Sequence, residues 1–391
     1  MAAGNKITWE IGLYNPDTYY IYRSDSPMDP NNLPTPIATL GTGVSEYLDT
    51  DNIVEGNTYY YRVDAEKKGL YIPGYETRYK AKAIYVYAAG KYVRRYDPEY
   101  NQLDQTIANN YGLDITVNPN DRFAHLEDYD RIYGFNENGF LAWNTGYNRE
   151  LLCISYDNDR YIYAGCRNGY ILKIDANNGG NTNINRQHGY KDFTSIKFNR
   201  VDGYIYAGTS EGEIKKFNTI GYEESLGPWP ITYDRKQNST DNEIKAVDCD
   251  GYGYIYYATK NGRIRKLDSE GNKLLYQNGG NPLIHMAVNE EGDFAHSFTS
   301  FTRNGDVTNY GYINFRKKDG SLVWSNQETE INNSFYKGYN NLAVDINKNV
   351  YAYYDSERLF IFNKDGNIIE NIYQVNDGQV GAVAVTPVLF D

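Results

Sequence analysis

The sequence predicts an all-β chain in two parts: a small antiparallel sandwich over residues 1–80, then a ring of seven four-stranded sheets over residues 81–391. Three observations predict it. Tyr (42) and Gly (36) are abundant in a chain of 391 residues; aromatic side chains suit a pleated surface, and Gly supplies the positive φ of tight turns. Polar and apolar residues alternate in short runs bounded by Pro, Gly, Asn and Asp, the period of half-buried strands rather than of helices. From residue 81 onward the chain repeats itself at a period of about forty residues, the length of a four-stranded unit.

Composition bounds the function. Hydrophobic residues make up 40% and charged residues 23% of the chain, which suits a globular protein, and no apolar run approaches the roughly eighteen residues of a membrane-spanning helix. Lys+Arg 39 against Asp+Glu 51 leaves a formal charge of −12, which repels phosphate backbones and anionic membranes. Nucleic acid and membrane insertion are therefore excluded as expected partners. The three cysteines, Cys153, Cys166 and Cys249, are too few and too scattered for a disulfide framework. The segment Met1-Ala-Ala-Gly-Asn-Lys6 shows no charged and apolar export pattern. Synthesis in a reducing cytoplasm without a signal peptide is the expectation.

In the first part the clearest strands are Ile7–Ile11, Tyr19–Arg23 and Thr58–Val63. A Trp on an early strand (Trp9) precedes a YxIYRS-like strand (Tyr19–Ser24) and then Ile53-Val-Glu-Gly-Asn-Thr-Tyr59. This order resembles a fibronectin type III domain of the kind found in bacterial and phage proteins. The resemblance implies a core tryptophan at Trp9 and a corner tyrosine at Tyr59, with Glu55 and Asn57 where the family has Pro and Thr. It also implies that the family's first strand is truncated or missing.

In the second part, RYIYAGCRNGYILKID (160–175), GYIYAGTSEGEIKKFN (203–218) and GYIYYATKNGRIRKLD (253–268) are copies of a strand, a Gly-containing turn and a second strand. Weaker copies begin near 85, 123, 294 and 350, so second strands fall near 85, 123, 161, 204, 254, 294 and 350, which gives seven units. In the last unit, Leu342–Asp345, Val350–Tyr354, Leu359–Phe362 and Ile368–Ile372 read as four strands. The first unit has second and third strands at Ala83–Tyr87 and Tyr92–Tyr96 but no first strand. Gly381–Val385 carries the small, β-branched pattern of an innermost strand without partners of its own. Pairing it with Ala83–Tyr87 closes the ring and removes two sheet edges, so the fold expected is a seven-bladed β-propeller. Asp319-Gly-Ser-Leu-Val-Trp324 and Asn138-Gly-Phe-Leu-Ala-Trp143 resemble the docking motif of the quinoprotein-like and WD40-like propellers, although most units lack the Trp.

No residue set announces catalysis. The Asp and Asn clusters at 118–121, 157–159, 248–250 and 289–292 suggest Ca²⁺ ligands by composition. Each falls in the turn between first and second strands, where Asn, Asp and Gly are wanted for backbone reasons. His125, His188, His285 and His296 lie in different units without metal-ligand spacing. His125 and His296 occupy matching Phe-Ala-His positions, which points to a shared packing role. Cys153 and Cys166 read as core thiols rather than zinc ligands. There is no GxSxG elbow, P-loop or dinucleotide fingerprint. No paired-cysteine or Trp-floored quinone site can be assembled, so neither cofactor nor metal is expected.

The long connections are the expected binding elements. Gly227–Asn242, Ser297–Tyr310 and Gln327–Asn340 all map to one face of a propeller and carry Trp229, Tyr233, Phe301, Phe335, Tyr336 and Tyr339. Aromatic residues on loops held by a rigid scaffold suit recognition of a protein or sugar; the alternative is that they fold back over the sheet tops. Sandwich and propeller modules typical of extracellular settings, in a chain with free thiols and no export signal, suit a virion protein made in a host cytoplasm. The expectation is a non-enzymatic bacteriophage tail, fibre or baseplate component, present in multiple copies, docking other virion proteins and a host surface glycan. The alternatives are a carbohydrate-active or quinoprotein-like propeller enzyme and an exported bacterial scaffold protein.

Overall fold

The computed structural model describes residues 5–9, 16–49, 51–53, 58–74, 76–80, 85–89, 92–98, 100–107, 112–127, 129–224, 228–232, 242–278, 282–302, 308–327, 339–354, 358–373 and 381–386. Among them there is no α-helix, only a 3₁₀ turn at Arg167–Gly169. The chain divides into two compact units, Met1–Ile84 and Tyr85–Leu389.

In the first unit, Asn5–Thr8 pairs antiparallel with Glu46–Asp49. A second sheet runs Ala38–Gly41, Thr18–Ser24, Thr58–Lys67, Leu70–Ile72, with Glu76–Lys80 also paired to Thr58–Lys67. Ile7, Ile53, Tyr59 and Tyr61 are buried, with Trp9, Ile37, Tyr47 and Val63 packed against them. Trp9 lies 5.3 Å from the Tyr19 ring. The Tyr61 hydroxyl donates to the buried Asp49 carboxylate at 2.7 Å, which Arg23 holds at 2.8 Å. Burying that carboxylate is tolerable because both oxygens have donors.

The second unit holds seven antiparallel sheets among the described residues. The first consists of Ala382–Val385, Val86–Ala89, Tyr92–Tyr96 and Gln102–Ile107. The second runs from Gly112–Val117 to Leu141–Gly146, and the third from Leu151–Tyr156 to Gly180–Gln187. The fourth is Phe193–Phe198, Ile205–Thr209 and Ile214–Phe217, and the fifth runs from Ile244–Cys249 to Lys273–Asn278. Leu283–Val288 to Leu322–Gln327 make the sixth, and Tyr339–Val344 to Ile368–Tyr373 the seventh. Innermost strands of successive sheets lie side by side in a cycle, with Ala382–Val385 between Tyr339–Val344 and Gly112–Val117. This is a β-propeller. The closing strand pairs Ala382 with Ala89 and Val385 with Val86, overlapping the Ala83–Tyr87 window read from the sequence at Val86 and Tyr87 and running two residues past it.

An innermost strand has a partner on one side only, so its inner edge presents unpaired N–H groups to the next sheet. Polar side chains of the neighbouring innermost strand accept them. Asp114 accepts from Ile154 N (2.8 Å) and Thr116 from Tyr156 N (3.0 Å). Ser155 accepts from Phe198 N and Ser195 from Val247 N, both at 2.9 Å. Asp248 accepts from Val288 N (2.9 Å), His285 Nδ1 from Leu342 N (3.3 Å) and Asn341 from Val383 N (3.2 Å). At the remaining junction the Thr386 hydroxyl donates to Asp121 at 2.7 Å.

The first-to-second-strand turns follow a related rule. Asn118, Asn199 and Asn289 accept N–H groups of their own turns and donate to carbonyls of Asp159, Gly253 and Asp345 in the next sheet. Asp157 and Asp250 accept N–H groups of their own turns in the same way. These Asp and Asn clusters are turn caps.

Two expectations about connections are revised. Within Ser297–Tyr310, residues 297–302 and 308–310 are strand: second and third strands extend to Phe294–Thr302 and Thr308–Arg316, with Thr302 opposite Thr308, and 303–307 lie outside the described residues. The run of Phe, Thr and Ser has the β-propensity to continue a ladder past the sheet rim. Among the described residues the fourth sheet has no outer strand; Glu223 bridges Phe217 and Ile231 bridges Ile214.

Two predictions follow from closure and burial. Deleting residues 380–391 exposes two sheet edges and is expected to lower Tm by about 10 °C or more; an unchanged melt refutes the closure. His296 is buried and accepts the Arg316 Nε–H at 3.2 Å, and burial, with Arg316 beside it, holds its pKa down at about 3. A neutral imidazole here contributes stability that is fully present above pH 6.5 and is lost as pH falls toward 3. Asp114 and Asp345, raised by burial to about 6, act with the opposite sign, so the comparison must isolate one group. His296→Gln keeps an acceptor for Arg316, and its Tm relative to wild type is expected to rise as pH is lowered from 7 to 4. Parallel melting curves would show that this imidazole does not titrate on unfolding.

Candidate functional site

The sheets are joined away from the axis by a second set of contacts. The strongest repeats place Tyr-Ile-Tyr on the second strand and Lys on the third. Lys173 Nζ sits 3.9 Å from the Tyr161 ring centroid and donates to the Thr219 carbonyl of the next sheet at 3.0 Å. Lys216 Nζ sits 4.1 Å from Tyr204 and donates to Ser269 O at 2.9 Å. Arg95, 5.3 Å from Tyr85, donates to Glu137 O at 2.7 Å. Each cation gains an aromatic face and a carbonyl in place of water; a partly desolvated cation–π contact contributes about 1–2 kcal/mol. Burial pulls the Lys173 pKa below its ordinary value.

Where the second-strand tyrosine is replaced by Ala124 or Ala295, the outer strand supplies an indole. Trp143 donates its Nε1–H to Ala176 O at 2.7 Å and lies against Gly179. Trp324 packs on Phe315, Phe362 and Gly366. A Cβ on Gly366, whose φ is +83°, would lie 2.8 Å from the Trp324 ring, so this glycine is required for both its backbone and its bare surface. His125 and His296, which follow those alanines, are both buried.

Trp229 is a third member of this set. The sequence marks it as a ligand contact, yet it is only 6% exposed and packs in the core with Tyr206, Ile214 and Ile231. Its ring lies 5.3 Å from Tyr206 and against Gly271 of the next sheet. Trp143 and Trp324 stand four residues after the turn glycines Gly139 and Gly320; Trp229 stands eight after Gly221. The longer spacing hides the motif. Phe301 and Tyr339 are strand residues, opposite Asn309 and Tyr354 in register, not loop residues. Tyr233, Phe335 and Tyr336 lie outside the described residues.

The junction between the fifth and sixth sheets departs from both arrangements. Leu275, four residues after Gly271, stands where Trp143 and Trp324 stand in their sheets. Lys266 is held at 4.1 Å by Tyr254 and 4.9 Å by Tyr256, but its ammonium turns to Asp250 at 3.3 Å rather than to a carbonyl of the next sheet. Burial lowers the Lys266 pKa and raises that of Asp250, each moderated by the other's charge. The result is an open cleft of about 570 Å³. Tyr252 and Tyr254 wall it, Leu274 and Leu275 supply apolar surface, and Lys266, Lys318 and Asp319 bring charge. Leu274 is 53% exposed, and the Lys318 ammonium lies 5.8 Å from the Tyr252 ring centroid. Asp319, exposed at the turn, has its pKa lowered by its hydrogen bonds with Ser321.

This combination suits holding a group with an apolar face and a negative charge. Nothing lining the cleft offers a thiol, serine hydroxyl or imidazole for nucleophilic chemistry. Among the described residues no group of His, Cys, Asp and Glu is arranged to hold a metal ion. Cys153 and Cys166 are buried free thiols, and burial pushes Cys166 up to about 12, far from the thiolate range. The only sequence signal for the cleft is a Leu at the docking-Trp position.

No protein-family model and no curated protein sequence matches the chain. Among solved structures it is similar to the β-propeller domain of Myceliophteria thermophila Cps50 (Swd1), with a TM-score of 0.50 and 11% identity over 67% of this chain and 86% of that one. BamB from Moraxella catarrhalis aligns at a TM-score of 0.43 and 16% identity, covering 74% of this chain and 85% of that one. The likeness to the Cps50 domain concerns the fold alone.

The docking role of Trp229 predicts that Trp229→Ala destabilises the protein by about 3–5 kcal/mol, read by denaturant unfolding. A surface ligand contact at this position would leave stability unchanged.

Proposed function

We propose that the chain is a non-enzymatic structural protein of a bacteriophage virion, in which a seven-bladed propeller and a fibronectin type III-like domain act as docking modules. The seven-blade reading rests on seven sheets whose innermost strands form one cycle. The fibronectin-like reading rests on two sheets in which the second carries the order Ala38–Gly41, Thr18–Ser24, Thr58–Lys67, Glu76–Lys80. That is the pairing expected of the family's second sheet.

The observation that carries the docking reading is the state of the polar groups around the propeller axis. Asp114, Ser155, Ser195, Asp248, His285 and Asn341 each accept a backbone N–H of the next innermost strand. A catalytic acid, base or nucleophile must have a reacting atom free to meet substrate; these groups hold the scaffold together. What a propeller built this way offers is rigid surface. Free cysteines in modules common outside cells suit a virion component, with neighbouring virion proteins as partners and several copies per particle. Tyr233, Phe335 and Tyr336 keep their candidacy for a host-glycan contact.

Mass spectrometry of purified particles of the phage that carries the gene is expected to find the protein at a fixed copy number. Its absence from intact particles, or turnover of a polysaccharide panel by the purified chain, would overturn the reading.

A further inference from the structure

We propose that the cleft between the fifth and sixth sheets is a socket for an aromatic side chain flanked by a carboxylate, presented by a peptide segment of a partner protein. The inference rests on the docking reading and names the chemistry of one docking site.

The molecule itself shows what such a junction accepts. Trp143, Trp229 and Trp324 each place an indole against the turn glycine of the following sheet, Gly179, Gly271 and Gly366. At the fifth junction the position four residues after the glycine is Leu275, and the turn glycine Gly320 meets Leu275 and Gln277 instead. Gln277 donates to the Gly320 carbonyl at 3.1 Å, so this turn is held without an indole and the space outside it stays open. Leucine is smaller than tryptophan, and an aromatic ring from outside fits the surface left between Tyr252, Tyr254 and Leu274.

Charge selects what accompanies the ring. The Lys318 ammonium is exposed at the mouth and has no carboxylate partner among the described residues, while Lys266 sits deeper with its ammonium on Asp250. Asp250 offsets Lys266 and Asp319 also lines the cleft, so the Lys318 ammonium is the cation left to attract a carboxylate. Leu274 and Leu275 leave the hydroxyls of a bound sugar without hydrogen-bond partners, which is unfavourable; an indole or phenyl ring loses nothing there. Aromatic anchors in such sockets dominate docking affinity.

The test uses the full chain and three probes: indole-3-propionate, which joins the ring to a carboxylate, uncharged 3-methylindole, and glucuronate. Titration followed by NMR is expected to show saturable binding of indole-3-propionate. Leu275→Trp fills the socket and is expected to weaken it at least tenfold with Tm unchanged or raised. Lys318→Glu is expected to weaken indole-3-propionate at least fivefold while leaving 3-methylindole within twofold. Unchanged binding in Leu275→Trp overturns the proposal, as does glucuronate binding as tightly as the indole acid with the same dependence on Lys318. If Leu275→Trp does not fold, Leu275→Phe and Lys318→Glu decide the question by the same criteria. Because binding is read on the purified chain, its failure is distinguishable from absence of the protein from particles.

Discussion

The structure depends on what happens to the inner edges of its sheets. Around the propeller axis, innermost strands stand side by side without being hydrogen-bonded into one sheet. Each therefore carries N–H groups that only a neighbour can satisfy. Leaving one buried and unpaired costs about 1–3 kcal/mol, repeated at every junction. The chain answers with polar acceptors on six innermost strands, two of the acceptors on Gly112–Val117, set among small and β-branched residues. This explains why strands that must pack tightly at the axis carry Asp, Ser, Thr, His and Asn at all. It also explains the perturbed ionisation of the same region: burial that makes the hydrogen bonds strong drives the Asp114 carboxyl up and the His285 imidazole down to about 4.

Farther from the axis the constraint changes from hydrogen bonding to volume. Adjacent sheets diverge, and the wedge between them must be filled down to the turn of the next sheet. The chain has two fillers. A second-strand tyrosine with a third-strand cation spans the gap and ends on a carbonyl, as Lys173 does on Thr219. Alternatively, an alanine makes room for an outer-strand tryptophan that ends on a glycine, as Trp324 does on Gly366. The fourth sheet uses both, with Lys216 Nζ 5.7 Å from the Trp229 ring. At the seventh junction Tyr351 meets Tyr100, which itself occupies the positive-φ position of the first sheet's turn. At the fifth junction the cation ends on Asp250 instead of a carbonyl of the next sheet, and a leucine meets the next turn's glycine.

Much of this was legible in the sequence because the repeat fixes strand, turn and strand at a constant spacing. Second strands begin at or within a residue of every marker read from the pattern, and the unpartnered Gly381–Val385 segment disclosed the closing strand. Features that depend on a change of spacing were not legible. Trp229 passed for a surface aromatic because four extra residues separate it from its turn. Ser297–Thr302 passed for a loop because its length exceeded that of the other second strands, although its composition is that of a strand. The cleft was hidden for a different reason: it is defined by a missing ring, and a leucine on an outer strand is unremarkable until three tryptophans are seen in the same structural position.

That last point bears on where function is sought in such a protein. When equivalent positions solve the same packing problem with residues of matching size, no one junction carries information about a partner. A position that leaves the problem unsolved forgoes packing energy that its neighbours gain, and such local inconsistencies concentrate at functional sites. The fifth junction keeps its tyrosines and lysine, which shows that the clamp was available there. It ends that lysine on Asp250 instead of a carbonyl of the next sheet and leaves Leu274 and Tyr252 in solvent. Tyr256 holds the second-strand position that Ala295 vacates beside Trp324, so position 275 takes a side chain smaller than an indole, and Leu275 reaches the Gly320 turn. The open surface lies outside Leu275, where Leu274 and Tyr252 are the apolar groups that an outside partner would cover.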